Sequence, residues 1–234
     1  MDWTEKYRPT TLSEVRGNDK SRDALKEWAD TWDDHHEAVI VYGSPGIGKT
    51  SAAHALAADL GWDVLELNAS DTRTAEVIER VAGEAALSGT LTGGSGGRKL
   101  VILDEADNLH GNVDRGGTRA IGNVIRDAKQ PVVLIANDYY EMSSGLRNAC
   151  QDIEFRDISK RSIVPVLRDI CRREGIEYDD AALDALADRD SGDLRSAIND
   201  LQAIAEGRDR VTEEDVVTGH RDRTEDIWTF LDAV

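Results

Sequence analysis

The apolar run Ala38-Val39-Ile40-Val41-Tyr42 stops at the octapeptide Gly43-Ser44-Pro45-Gly46-Ile47-Gly48-Lys49-Thr50, and an alanine-rich segment to Leu60 follows at once. The short run bounded by glycine predicts a buried strand. The segment after it predicts a helix with Gly61 as its stop. Between them, the octapeptide matches GxxxxGK[ST] in full and in the strand-to-helix context that the motif requires. Its glycines let the backbone curl so that N–H groups converge on phosphate oxygens at a helix N-terminus. Lys49 is expected to reach the β- and γ-phosphates of ATP, and Thr50 to ligate Mg²⁺. The alternative is a chance glycine-rich turn, against which the flanking strand and helix speak.

The alternation continues. Further strands are expected at 63–67, 100–103 and 132–136, with a helix around 74–87 and a short last strand at 153–155. Strands alternating with helices predict an α/β fold with a parallel sheet covered on both faces. Gly93-Gly94-Ser95-Gly96-Gly97 reads as a flexible loop with no chemistry attached. After Asp157 the pattern changes to three helical segments, 159–174, 180–188 and 193–206, punctuated by Gly175, Gly192 and Gly207, and no strand is expected there. The expected organisation is an ATP-binding domain over 1–158 and a small all-α lid domain over 159–221, with an amphipathic helix that begins and stops short within 222–234.

Three more positions carry chemistry. Leu100-Val101-Ile102-Leu103 ends in Asp104-Glu105-Ala106-Asp107, an apolar strand leading into paired acids. Downstream of a phosphate loop this reads as a Walker B element: Asp104 holds Mg²⁺ through water and Glu105 polarises the attacking water. A solvated acidic turn is the alternative in so acidic a chain. Asn137 follows the run 132–136, where a polar side chain can contact the γ-phosphate (sensor 1), or simply form a turn. Arg195, in Gly192-Asp193-Leu194-Arg195, is a candidate ATP-sensing arginine of the lid, or an exposed residue at a helix start.

The net charge of −18 argues, taken alone, against nucleic acid, whose binders usually carry a basic excess. Yet the acids are dispersed, with 21 Arg against 7 Lys and no acidic tail. Such a surface suits a cytoplasm with molar salt, where repulsion is screened to roughly 3 Å; an ordinary acidic protein is the other reading. No apolar run is long enough to span a bilayer, and the N-terminus has no leader pattern, so a cytoplasmic protein without membrane contact is expected. Cys150 and Cys171 read as reduced core thiols, the five histidines show no metal spacing, and the five tryptophans read as packing residues.

Taken with Trp3-Thr4-Glu5-Lys6-Tyr7-Arg8-Pro9, Glu66-Leu67-Asn68-Ala69-Ser70-Asp71 and Gly192-Asp193-Leu194-Arg195-Ser196-Ala197-Ile198-Asn199, these motifs make the chain resemble the archaeal replication factor C clamp loaders, AAA+ ATPases, over nearly its whole length. His110-Gly111-Asn112-Val113-Asp114-Arg115-Gly116-Gly117 is similar to the large subunits of that family. So is Asn148-Ala149-Cys150, where small subunits carry Ser-Arg-Cys and offer that arginine as a finger to a neighbour's ATP. Arg147 has a counterpart in small subunits too and is a poor substitute.

The resemblance implies ATP-driven loading of a ring-shaped sliding clamp onto primer–template DNA, with replication factor C small subunits as partners. It further implies that Val15 and Arg16, in Val15-Arg16-Gly17-Asn18, line the adenine pocket. Arg80, Arg119 and Arg126 are candidate DNA contacts, each equally explained as a solvated helix charge. The family continues into a helical collar and a clamp-binding tail, and this chain stops at Val234 near where the collar is expected to start. Two other readings stay open: a nucleotide-binding structural subunit with little hydrolysis of its own, and another AAA+ DNA-processing ATPase. A P-loop small-molecule kinase leaves the sensor and lid pattern unexplained.

Overall fold

The computed structural model describes residues 1–69, 97–108 and 115–217, together with Arg80, Ala82 and Glu84. Most of the helix expected at 74–87, the glycine run 93–96, Ser70-Asp71, residues 110–114 of the segment after Asp107, and 222–234 lie outside the described residues. The chain divides into two compact units, Pro9–Arg156 and, separately, Met1–Arg8 with the described residues from Asp157 onward. It begins with one helical turn, α1 (Trp3–Lys6).

In the Pro9–Arg156 unit, a 3-10 turn (Leu12–Glu14) leads into α2 (Asp19–Asp30) and α3 (Trp32–His35), then β1 (Ala38–Tyr42), α4 (Lys49–Leu60) and β2 (Asp63–Asn68). β3 (Lys99–Asp104), α5 (Arg115–Asp127), β4 (Val132–Ala136), α6 (Ser144–Asn148) and β5 (Cys150–Glu154) follow. The strands form one parallel sheet in the order β2-β3-β4-β1-β5. The three central strands are apolar almost throughout because both faces are covered: Val39, Ile40, Val41, Leu100, Val101, Ile102, Leu103, Val133 and Leu134 are all fully buried. The edge strand β2 instead alternates exposed and half-buried positions, which left its sequence mixed. The last strand starts three residues earlier than its apolar residues suggest, since Cys150 pairs with Ala38 at the edge of the sheet.

One face of the sheet is covered by α5, whose Ala120, Ile121, Val124 and Ile125 pack with Val101, Leu103, Leu134, Met142 and Leu146. The positions i, i+1, i+4 and i+5 form the apolar stripe of an amphipathic helix. In α4, by contrast, Ala52, Ala53, Ala55, Leu56 and Ala57 are all buried, so small side chains replace a stripe and let the helix lie among its neighbours.

The second unit holds α7 (Lys160–Glu174), α8 (Asp180–Arg189) and α9 (Leu194–Ala205). They match the expected helices to within a residue or two at each end. The expectation that no strand occurs here is corrected: β6 (Glu177–Tyr178) and β7 (Arg210–Val211) form a short parallel pair. Two residues per strand are too few to show an alternating pattern, so nothing in the sequence marks them.

The grouping of the first eight residues also differs from the expected domain over 1–158. Trp3 N–H donates to Gln202 Oε1 at 2.8 Å, and Lys6 Nζ and Tyr7 Oη both donate to Glu174 Oε1 at 2.6 Å. Those bonds join α1 to α9 and to the end of α7. The same donors, Lys6 first, hold the Glu174 carboxyl below its usual range.

Candidate functional site

In the sheet order, β1 lies beside β4 and β4 beside β3. The C-terminal ends of these three parallel strands are therefore neighbours, spaced about 4.8 Å apart per step. They carry Gly43, Asn137 and Asp104, which come from sequence positions up to 94 residues apart (137 − 43). This edge of a parallel sheet, where the strand order reverses, is where open α/β folds place ligands.

The loop after β1 depends on its glycines. Gly43 has φ +139°, and a Cβ there would lie 2.0 Å from the Phe155 carbonyl oxygen. Only glycine fits. Gly48, with φ +93°, is the residue from which α4 starts, so its left-handed backbone turns the loop into the helix. Ile47 is buried beneath the loop, leaving its backbone rather than its side chain to face a ligand. Ser44 and Pro45 are exposed. Val15 is buried, with its methyl 3.8 Å from a Cβ built on Gly48, which puts it against the loop. Arg16 beside it is exposed. Asn18 ties the segment after Arg16 to the end of the sheet unit: its side chain donates to Arg156 O at 2.8 Å and accepts from Arg156 N–H at 2.7 Å.

Lys49, although charged, is only 6% exposed. Its Nζ donates to Gly43 O at 2.6 Å, Ser44 O at 2.7 Å and Asn137 Oδ1 at 3.0 Å. A buried ammonium needs such acceptors, and anionic phosphate oxygens would replace them with a stronger charge-assisted set. Thr50 Oγ1 donates to Asp104 Oδ2 at 2.9 Å. Hydroxyl and carboxylate oxygens at one point are hard donors of the kind Mg²⁺ takes, with water and phosphate completing its shell. Among the described residues there is no group of three or more His, Cys, Asp or Glu side chains that could hold a metal without such help.

Beyond β3 the backbone turns sharply. Glu105 has φ +55°, a left-handed conformation that costs a non-glycine residue about 1 kcal/mol or more. It is held there by Glu105 N–H donating to Asp104 Oδ1 at 2.8 Å and Ala106 N–H donating to Ile135 O at 2.9 Å. The Glu105 carboxylate accepts from Asn108 Nδ2 at 3.4 Å. Asp107, which the motif includes without a role, is 5% exposed and accepts from the backbone N–H groups of both Asn137 and Asp138 at 2.8 Å.

Arg195 belongs to the other unit and is exposed in the first turn of α9. Gly192 has no room for a side chain, since a Cβ would lie 2.6 Å from Asp157 Cβ, and the Asp193 carboxylate caps the helix by accepting from Ser196 N–H at 2.8 Å. The Gly-Asp pair is thus accounted for by helix capping within its own unit. Burial pushes the Cys150 thiol up to about 12 and the Cys171 thiol up to about 11, which favours the protonated, less nucleophilic form of both. Among the described residues no helix is long and apolar enough to cross a membrane.

Residues 39–157 match the model of the ATPase family associated with various cellular activities (AAA), half of the chain and all five strands of the sheet. The chain belongs to the AAA family of ATPases. Membership in the AAA family implies nucleotide binding. Among curated AAA relatives, the chain is 72% identical over all of its 234 residues to the replication factor C large subunits of Haloarcula marismortui and Halobacterium salinarum, and 57% identical to that of Methanocella arvoryzae. It covers 46%, 50% and 42% of those proteins respectively, so it spans about half the length of the relatives it matches. Among solved structures, the Holliday junction branch migration motor RuvB of Thermotoga maritima superposes with a TM-score of 0.70 at 21% identity, covering 91% of this chain and 71% of that one. At that identity the likeness speaks to the AAA fold alone.

Proposed function

We propose that this chain is the ATPase portion of a clamp-loader large subunit, which uses ATP to help load a sliding clamp onto primer–template DNA together with replication factor C small subunits. The observation that carries the reading is the 72% identity, end to end, to replication factor C large subunits of salt-loving archaea. The same relatives support the halophilic reading of the −18 charge and, with it, a cytoplasmic location.

In this reading the loop from Gly43 to Thr50 cradles the phosphates of ATP, Lys49 binds the β- and γ-phosphates, and Val15 and Arg16 line the adenine pocket. Thr50 and Asp104 hold Mg²⁺, which when bound neutralises charge on the phosphates. Glu105 takes a proton from the attacking water as the water oxygen bonds to the γ-phosphorus and the bond from that phosphorus to the β–γ bridging oxygen breaks, with ADP as the leaving group; Asn137 orients that water, and Arg195 senses the γ-phosphate from the lid. Arg80, Arg119 and Arg126, all exposed, are the proposed DNA contacts; Arg119 and Arg126, seven residues apart on α5, share a helix face.

The test is ATP turnover by this chain and archaeal replication factor C small subunit at molar salt, with and without clamp and primed DNA. Stimulation by clamp and DNA supports the reading. Turnover that ignores both in a full-length version of the protein contradicts it.

A further inference from the structure

We infer that Asp107 is a positioning residue for hydrolysis, holding Asn137 against the phosphate loop; this rests on the reading of Asn137 as the residue that orients water.

The carboxylate is almost fully buried, a costly place for a charge unless strong hydrogen bonds hold it. Its Oδ2 accepts two backbone N–H groups, those of Asn137 and Asp138, each at 2.8 Å. Both belong to the two residues that leave β4, so the carboxylate caps the end of that strand. Oδ1 is buried and, among the described residues, has no hydrogen-bond partner, so the side-chain hydrogen bonds described for this group go to the backbone that presents Asn137. One residue earlier, Ala106 N–H donates to Ile135 O at 2.9 Å, zipping the same two strand ends together.

A closed circuit results. Thr50 bonds Asp104, Asp104 bonds the Glu105 N–H, the turn delivers Asp107 to the Asn137 backbone, and the Asn137 side chain accepts from Lys49, the neighbour of Thr50. Each link fixes the next, so the turn that carries Glu105 and the loop that carries Asn137 cannot shift independently. A displacement of about 1 Å in such a group costs on the order of 100-fold in rate. Without Asp107, two backbone donors lose their acceptor and the Asn137 amide loses its reference point.

The test compares steady-state turnover and ATP-analogue binding for Asp107→Ala, Asn137→Ala, the double variant and Asp107→Asn. Asp107→Ala is expected to lower kcat about 10- to 100-fold, with binding changed no more than about threefold, and to add little in the Asn137→Ala background. Asp107→Asn keeps an oxygen that can accept both N–H groups and should retain at least about a third of the turnover. Additive effects of the two alanine changes, or a loss shared equally between binding and kcat, would mean a general structural role and overturn the inference. So would an asparagine variant as slow as Asn137→Ala. Should Asp107→Ala not fold, Asp107→Asn decides by the same threshold. Glu105→Gln runs alongside: if it turns over normally, the hydrolysis reading falls and takes this inference with it, whereas a dead Glu105→Gln beside an unaffected Asp107→Ala removes the inference alone.

Discussion

Two corners of the sheet unit differ sharply in what they hold. At the C-terminal ends of β1, β4 and β3, Lys49, Thr50, Asp104, Asp107 and Asn137 are joined by hydrogen bonds between groups far apart in sequence. Where α6 meets β5, the exposed Ala149 has no polar group to offer. The nearby Arg147 lies over the rings of Tyr139 at 5.3 Å and Tyr140 at 5.7 Å, and its Nε is buried with no hydrogen-bond partner among the described residues. Such stacking holds the guanidinium on its own chain, with about 1 kcal/mol of attraction. On the proposed clamp-loader reading, the contrast fits a chain that receives catalytic help at its nucleotide rather than one that lends it to a neighbour.

The comparison can be broken most severely at Lys49. Lys49→Ala is expected to weaken ATP binding by roughly 100-fold or more, because it removes the charge-assisted bonds to the phosphates. Titration with a fluorescent ATP analogue measures this, and retained tight binding would contradict the assignment of the loop. Next in size, Glu105→Gln should leave that binding intact and reduce turnover by about 100- to 10,000-fold, the range for a lost general base.

The empty corner is sharpened by the reverse experiment. A cavity of about 430 Å³ beside Ala149, lined in part by Glu37, Ile125, Arg126 and Leu146, leaves space for a longer side chain. Ala149→Arg should therefore fold normally and raise turnover at a neighbouring subunit's nucleotide by about tenfold or more, still short of the full effect of an arginine finger. No gain in a mixed assembly would show that Ala149 does not mark the missing donor.

Gly43→Ala tests the loop rather than the chemistry. The new methyl would meet the Phe155 carbonyl oxygen at 2.0 Å on a backbone with φ +139°, so a stability loss of about 2–4 kcal/mol is expected in thermal or denaturant unfolding. The smallest effect belongs to the helical unit. Glu174 is held below its usual value of 4.5 by Lys6 and then Tyr7, so its contribution is complete above about pH 4.5 and lost as pH falls through the lower folded value. A modest drop in melting temperature on acidification, absent in Glu174→Gln, is the expected readout.

How much of this was readable in the sequence follows from the physics of each element. Central strands such as Val132–Ala136 are buried on both faces and announce themselves as apolar runs. The edge strand Cys150–Glu154 is not, and its start was invisible. The two-residue strands β6 and β7 carry no period at all. Within the site, Gly43, Lys49, Thr50 and Asp104 belong to motifs whose spacing encodes their chemistry, and Asn137 follows from its place after a strand. Asp107 was in plain view, yet the role proposed for it rests on a contact across 30 residues that no local pattern records. The role of the first eight residues was hidden for the same reason, since Trp3 finds its partner 199 positions away.

The central claim is that the nucleotide corner is complete except for an arginine from a neighbour. It is tested most directly by single-turnover hydrolysis in a mixed assembly where only this chain carries an intact phosphate loop. The small subunits would either keep or lack the arginine of their Ser-Arg-Cys motif. The account predicts nucleotide bound in both assemblies and rapid hydrolysis only where the arginine is present. Equal rates in both would contradict it.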